Sequence, residues 1–427
     1  MVLDKLLRQS LIWRGFYFIT NVFLNIVLSR VLLAVSFGNL FYWVNMLSLL
    51  TLVMGLSLES SFTYFVSAKK IKTETAALIG CIWLLAIVIP LGIFQYFIFS
   101  NKVSLHIASM QLVVLAIFFV IGNLLMNYFS ALLNAYQNFW IPGILGGMVN
   151  LITVFLICYY KTDLHQLVIV FFSSFFLQGF LCFLSFVFYY KVKLFSSAIS
   201  MTSVHTIFRF AITATGANII FFLLYRIDYW FVEKNCSALA LGNYIQASKM
   251  GQLCLVIPQM LAAAVFPATS SGKDKEILQL SLISIMRILL KVFAVLFLLF
   301  LFSGTYIFTF IFGKDFIQAN PPFLLLLPGI LCLAGLSIMS AYFGGNNRVV
   351  VNLKGAIIGL IIVITGSIAC WQFYSIRIAA IISSLGYGAN FLYAILIFRK
   401  NEKFPLKVLV SFKNGDLRWI IHVLFKP

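Results

Sequence analysis

Two neighbouring stretches of the sequence hold most of the side chains that could do chemistry. Between Thr213 and Glu233, residues Asn218, Phe222, Tyr225, Arg226, Tyr229 and Glu233 recur at helical intervals and share one face of a helix. Asp228 stands two residues from Arg226 and points elsewhere, so each of these charges needs its own partner, or water, on another helix. In the next apolar stretch Gln246, Lys249, Gln252 and Gln259 fall on one side, and Pro258 can bend the helix between the last two. Ionisable groups at membrane depth are costly, which makes each of them a functional candidate. Arg226 and Lys249 read either as substrate contacts or as members of structural ion pairs. Asp228 reads as a counter-ion holding an Arg or Lys. Glu59 reads as a proton relay or as a satisfied buried carboxyl. Arg30 and Glu233 sit near the outer interface, where a snorkelling anchor competes with a ligand contact.

Lighter polar faces occur elsewhere. Arg14, Asn21, Asn25 and Ser29 line one helix; Asn45, Ser48, Gly55 and Glu59 line the next; Asn123, Asn127, Ser130 and Asn134 line a fourth. Such residues also bond across helices for about 0.6 kcal/mol each. Gly143-Ile-Leu-Gly-Gly147 suits close helix packing. Soluble catalysis finds no support: there is no P-loop, Gly-rich nucleotide fingerprint or nucleophile elbow. The seven cysteines are scattered without a CxxC pair and the four histidines are far apart, so neither a metal site nor a cofactor is expected.

The elements that position these residues follow from composition. With 63% hydrophobic and 10% charged residues, the chain cannot cover itself with water-compatible surface. Charge-poor stretches near the ~20 residues of a membrane-crossing helix recur along it. The ~10-residue alternation of an outer-membrane barrel is missing, so the spans are expected to be helices. Twelve spans are expected, at approximately 11–33, 41–65, 76–100, 106–133, 139–160, 166–190, 210–233, 243–267, 289–312, 321–343, 353–374 and 377–398. With the N-terminus inside, 22 of the 30 Lys and Arg fall on the cytoplasmic side and five opposite; Arg30, Arg226 and Lys249 lie in or beside spans. Both termini are therefore expected in the cytoplasm, and the +19 net charge reads as topogenic rather than as a nucleic-acid footprint. Residues 399–427 read as a basic cytoplasmic tail whose Trp419 and Leu424 could rest on the membrane surface.

A faint repeat at an offset of 204 residues matches Gly38-Asn39 to Gly242-Asn243, Lys69 to Lys273 and Arg30 to Lys234. It predicts two six-helix lobes, residues 1–200 and 201–398, in parallel orientation.

Several stretches resemble the polysaccharide-export branch of the MATE-like transporters, the MOP superfamily. They are Ser29-Arg-Val-Leu with Phe37-Gly38-Asn-Leu-Phe-Tyr; Met54-Gly55-Leu-Ser-Leu-Glu59-Ser; Arg226-Ile-Asp228-Tyr-Trp-Phe; Leu241-Gly-Asn-Tyr244-Ile-Gln-Ala247-Ser-Lys; Phe266-Pro267; and Ile311-Phe312-Gly313-Lys-Asp-Phe316. Twelve spans look like an O-antigen flippase of the Wzx type, whereas fourteen would be expected of a lipid II flippase. The resemblance implies an all-α integral membrane protein with two lobes around a central cavity. It also implies a place in the bacterial inner membrane, alternating access and an undecaprenyl-pyrophosphate-linked oligosaccharide as cargo. Arg226, Lys249 and Arg30, with Gln246, Gln252 and Asn218, are then the expected substrate contacts, a cationic set that suits a pyrophosphate. Asp228 and Glu59 would serve H+ or Na+ coupling or charge pairing. Membrane lipids, an O-antigen polymerase and a chain-length regulator are the other expected partners. One rival reading is a multidrug cation antiporter with Glu59 and Asp228 binding drug or proton. Another is a glycosyl-polymerising or ligating membrane enzyme, which the short outer loops disfavour.

Overall fold

An apolar chain in lipid satisfies its backbone by coiling on itself, and the computed structural model is helical along nearly all of the residues it describes, 2–99, 109–136, 138–190, 200–270, 275–346 and 348–402. The expected tail, from residue 403 onward with Trp419 and Leu424, lies outside the described residues. The helices are α1 (Val2–Gly55), α2 (Leu58–Ser67), α3 (Thr73–Phe99), α4 (Ser109–Ala135), α5 (Trp140–Tyr159), α6 (Leu164–Tyr190) and α7 (Met201–Arg226). They continue with α8 (Asp228–Asn235), α9 (Ala238–Cys254), α10 (Val256–Ser270), α11 (Lys275–Phe312), α12 (Asn320–Gly345), α13 (Val349–Ala369) and α14 (Ile376–Glu402). Tight turns at Lys314–Ala319 and Trp371–Phe373 precede α12 and α14.

Ten helical stretches among the described residues are long and apolar enough to cross a membrane, so the protein is a multi-pass membrane protein. The count becomes twelve once two breaks are considered. At ~1.5 Å per residue, α1 would run about 80 Å, far beyond a ~30 Å hydrocarbon core. It is divided at Leu33, whose φ of 58° and ψ of 174° are not helical. The other span consists of α9 and α10, each too short alone, meeting at Leu255.

The chain forms two compact units, Met1–Ile219 and Ile220–Pro427. In the first, α1 packs on α5, and α4 on α2, α3 and α6. The glycines expected to bring helices together do so: a Cβ on Gly143 would lie 2.7 Å from the backbone oxygen of Trp13 on α1. In the second unit α12 is central, packed against α9, α10, α11 and α14, while α13 packs on α14.

Some helix limits differ from expectation for a common reason. α7 begins at Met201 rather than near 210, and α11 at Lys275 rather than near 289. Apolar composition marks only the part of a helix in hydrocarbon, and these helices continue through polar turns beyond it. The connection expected at 34–40 is likewise helical, the chain being interrupted only at Leu33.

The end of α2 is a complete C-terminal cap. The Lys69 amide donates to the Val66 carbonyl and the Lys70 amide to the Phe65 carbonyl, both at 2.9 Å. This is the paired bonding of a Schellman motif, which puts its central residue in the left-handed region. Lys69 occupies that position with φ 54°.

Candidate functional site

Helix irregularities set the geometry of the second unit. Between α7 and α8 the Trp230 amide bonds the Ile227 carbonyl, an i−3 bond that tightens one turn. Arg226 closes α7 and Asp228 opens α8, so the tightened turn separates their directions. α9 starts on a serine cap: the Ser237 hydroxyl accepts from the Ala240 amide at 3.3 Å. It stops at Leu255, three residues before Pro258, whose ring denies a hydrogen bond to the Cys254 carbonyl and clashes with that turn. The bend expected between Gln252 and Gln259 is where the helix breaks.

Arg226 and Gln252, nominated on separate helices, meet. The guanidinium donates from Nη2 to Gln252 Oε1 at 2.8 Å and from Nη1 to the Tyr229 hydroxyl at 2.5 Å. Its carbon sits 5.2 Å from the Tyr229 ring centroid, adding a cation–π contact. Arg226 and Gln252 border a cavity of about 200 Å³ inside the second unit, with Ser248, Gln259, Ser337, Tyr225 and Tyr387 as further polar walls and three leucines, Ile330 and Gly251 completing it. A pre-oriented cation facing a small, half-polar cavity can bind an anion with little reorganisation.

Asp228 belongs to a different network. It is 2% exposed, and its Oδ2 accepts from the Tyr244 hydroxyl at 2.5 Å and from Ser383 Oγ, on α14, at 2.9 Å. Its Oδ1 has no hydrogen-bond partner among the described residues. A buried carboxylate with one satisfied oxygen and one open oxygen can accept a proton or another donor. Arg226 and Asp228 thus have separate hydrogen-bond partners, as their spacing implies.

The remaining nominated residues fall in several places. Lys249 is half-buried one turn before Gln252 and is not part of the cavity wall. Gln246 is fully buried, away from the cavity, with Oε1 unpartnered among the described residues. Asn218, Glu59 and Arg30 lie in the first unit. Arg30 is exposed. Asn218 Nδ2 donates to Ser57 Oγ at 3.0 Å, which brings it to the break between α1 and α2, two residues before Glu59. That break holds two successive left-handed residues, Leu56 (φ 48°) and Ser57 (φ 45°). The carbonyls it leaves are covered by aromatic donors: Trp83 Nε1 reaches Met54 O at 2.8 Å, and the Tyr128 hydroxyl reaches Gly55 O at 2.7 Å. Irregular backbone at membrane depth is tolerated when protein groups satisfy it in this way.

Sequence reasoning did not nominate Ser383, Tyr387 or Ser248 for the site. Ser383 lies 155 residues from Asp228, and no local spacing could have joined them. Tyr244 stood in a recognised stretch but without a role. Two residues of the light polar face of α4 bond locally: Asn123 Nδ2 and Ser130 Oγ reach carbonyls of their own helix, at Phe119 and Asn127.

No protein-family model matches this sequence, and no curated protein matches it. Solved structures do match in fold. The class they define is the multi-pass helical fold shared by MATE transporters and the lipid II flippase MurJ within the MOP superfamily. MurJ in an inward closed conformation gives a TM-score of 0.66 at 17% identity, over 97% of this chain and 95% of that one. A MATE in complex with MaL6 gives 0.67 at 16%, over 94% and 97%. A MOP superfamily transporter from Pyrococcus furiosus, described as having a binding pocket of reverse polarity, gives 0.65 at 15%, over 96% of both chains. At such low identities the likeness establishes the architecture, along nearly the whole length of each chain.

Proposed function

We propose that this protein is a flippase of the Wzx type. It carries undecaprenyl-pyrophosphate-linked O-antigen units from the cytoplasmic to the periplasmic leaflet of the inner membrane, with both termini cytoplasmic. The observation that carries this reading is Arg226, oriented by Tyr229 and Gln252 at the edge of a cavity inside the second unit. A guanidinium presents paired N–H donors that match phosphate oxygens, and the surrounding low dielectric strengthens that match. Lys249 on the same helix as Gln252 adds a second cation nearby in sequence, and Gln246, Asn218 and Arg30 complete the proposed contacts. The sugar-pyrophosphate head enters a hydrated space as two six-helix lobes rock, while the prenyl tail stays in lipid. Asp228, with its open Oδ1, and Glu59 are the groups for H+ or Na+ coupling. The polymerase and chain-length regulator that receive O-antigen units are the proposed protein partners. The fold supports this reading, since MurJ is named a lipid II flippase.

The buried Asp228 favours a second reading, a MATE-like cation antiporter, because an acidic site suits a cationic drug. Complementation separates the two. The gene is introduced into flippase-null strains of known O-antigen structure. Restored surface O-antigen, with lipid-linked oligosaccharide cleared from the cytoplasmic face, is the expected result. Drug resistance without any restored polysaccharide in any strain would overturn the flippase reading in favour of the antiporter.

A further inference from the structure

α5 has two working faces. One, with Gly143 and Gly147, lies against α1. The other, with Ile141, Ile144 and Leu145, forms one wall of a groove of about 380 Å³ whose second wall is Ser185, Phe188 and Tyr189 of α6. The groove is almost wholly apolar, yet it is not closed by protein. Ile141 at its base is buried, while Phe188 and Tyr189 on its rim are 74% and 58% exposed. Trp140 and Tyr189 meet edge to face across one end, with ring centroids 6.4 Å apart. Tryptophan and tyrosine concentrate at the headgroup level of a bilayer, which marks this end of the groove as the interfacial one. Tyr189 is followed in the sequence by Lys191 and Lys193, so the positive-inside rule assigns this end to the cytoplasmic leaflet.

A cation stands at the same end. Arg14 is exposed, and its guanidinium carbon is held 5.5 Å from the ring centroid of Phe139, the residue immediately before Trp140. The feature therefore combines an apolar slot, an aromatic pair at its mouth and a fixed guanidinium beside that mouth. We infer that the α5–α6 groove binds one anionic glycerophospholipid of the cytoplasmic leaflet, with an acyl chain along Ile141, Ile144 and Ser185 and its phosphate on Arg14. Charge complementarity selects an anionic headgroup over a zwitterionic one. The size of the groove selects a single acyl chain over the far longer branched tail of a polyprenyl carrier. This site is separate from Arg226 and does not depend on the transported substrate.

Native mass spectrometry of the full-length protein in mild detergent tests the inference. Phosphatidylglycerol, phosphatidylethanolamine and a polyprenyl monophosphate are added at equal concentration. The wild type is expected to retain phosphatidylglycerol preferentially. Arg14→Gln should weaken that adduct about tenfold, the size of one charge-assisted contact, and leave phosphatidylethanolamine unchanged. Ser185→Trp fills the slot and should abolish the adduct; Ser185→Leu, a milder filling, keeps the test decisive should the tryptophan variant fail to fold, as read by size-exclusion profile. Equal phosphatidylglycerol retention in wild type, Arg14→Gln and a folded Ser185 variant would overturn the site. Displacement of phosphatidylglycerol by the polyprenyl monophosphate in the wild type would give the groove to the carrier lipid and overturn the assignment as well.

Discussion

Two buried polar networks, one in each unit, are built in opposite styles. In the first unit, the network joining α1, α5 and α6 is neutral and closed on itself. The Tyr17 hydroxyl donates to Gln178 Oε1 at 3.4 Å, Gln178 Nε2 to Asn150 Oδ1 at 3.1 Å, Asn150 Nδ2 to Thr20 Oγ1 at 3.3 Å, and Thr20 to the Tyr17 carbonyl at 2.9 Å. This chain ties α1, α5 and α6 together and carries no formal charge. In the second, the polar core is ionic and open: Arg226 borders a cavity, and Asp228 keeps one oxygen without a partner among the described residues. A closed neutral network has nothing left to offer a ligand, whereas an open ionic one does. The contrast assigns helix assembly to the first network and ligand or ion chemistry to the second.

Substitutions at four places would break or sharpen that contrast, and the largest effect is expected at Arg226. Arg226→Ala should lower O-antigen display at least about tenfold, the worth of ~1.4 kcal/mol, with the protein still in the membrane. Arg226→Lys should recover only part, because an ammonium cannot hold Tyr229 and Gln252 in one plane. Immunoblots of surface polysaccharide normalised to membrane protein make the comparison; undiminished display from Arg226→Ala would remove the second unit's claim to the chemistry. Next come the donors to Asp228. Ser383→Ala or Tyr244→Phe removes a hydrogen bond to a buried carboxylate and should cost ~1.5–3 kcal/mol. Thermal unfolding of the purified protein reads the stability loss, and transport per folded molecule should fall with it.

At the Tyr17–Gln178–Asn150–Thr20 network the effects should be structural alone. Asn150→Leu strands Gln178 and Thr20 and should cost ~1–3 kcal/mol, while transport per folded molecule stays at the wild-type level. Asn150→Leu combined with Gln178→Leu should cost less than the two single losses added together, since neither partner is then stranded alone. A transport defect exceeding the loss of folded protein would contradict the division of labour. The smallest effect is at the α2 cap, where Lys69 holds a left-handed conformation that glycine adopts without strain. Lys69→Gly should raise stability by up to ~1 kcal/mol and leave transport unaltered. A fall in melting temperature would show that the Lys69 side chain contributes more than its backbone strain costs.

The sequence announced some of these features and was silent on others. Composition disclosed a multi-pass helical protein, and Pro258 disclosed the bend between Gln252 and Gln259. The polar stripes of two successive spans pointed to Arg226 and Gln252, which do meet. The break at Leu33 falls where the first span was expected to end, whereas the one at Leu56–Ser57 had no such warning, since neither of its left-handed residues is glycine or proline. Tertiary donors, Trp83 and Tyr128, cover the carbonyls at that second break. The partnership of Asp228 with Ser383 was equally hidden, as it depends on α14 packing beside α8. Local periodicity shows which face of a helix is polar; only the assembled unit shows which helix answers it. Asn123 makes the same point in reverse, since its amide returns to its own backbone and needs no neighbour.

The division of one span into α9 and α10 also bears on how the chain is made. α9 has 17 residues and α10 has 15, and α9 carries Lys249 with Asn243, Gln246 and Gln252. A lysine near the centre of a candidate span costs ~2.5–3.5 kcal/mol at the insertion step, so this segment enters the bilayer on poor terms by itself. α12, which packs against both pieces, begins at Asn320, about fifty residues after the end of α10. At synthesis rates of ~5–20 residues per second, that is an interval of roughly 3–10 seconds. During it, earlier helices alone must shelter the polar face of α9 from lipid. The same side chains that equip the mature protein with a charged site thus make the middle of the nascent chain its most vulnerable stretch.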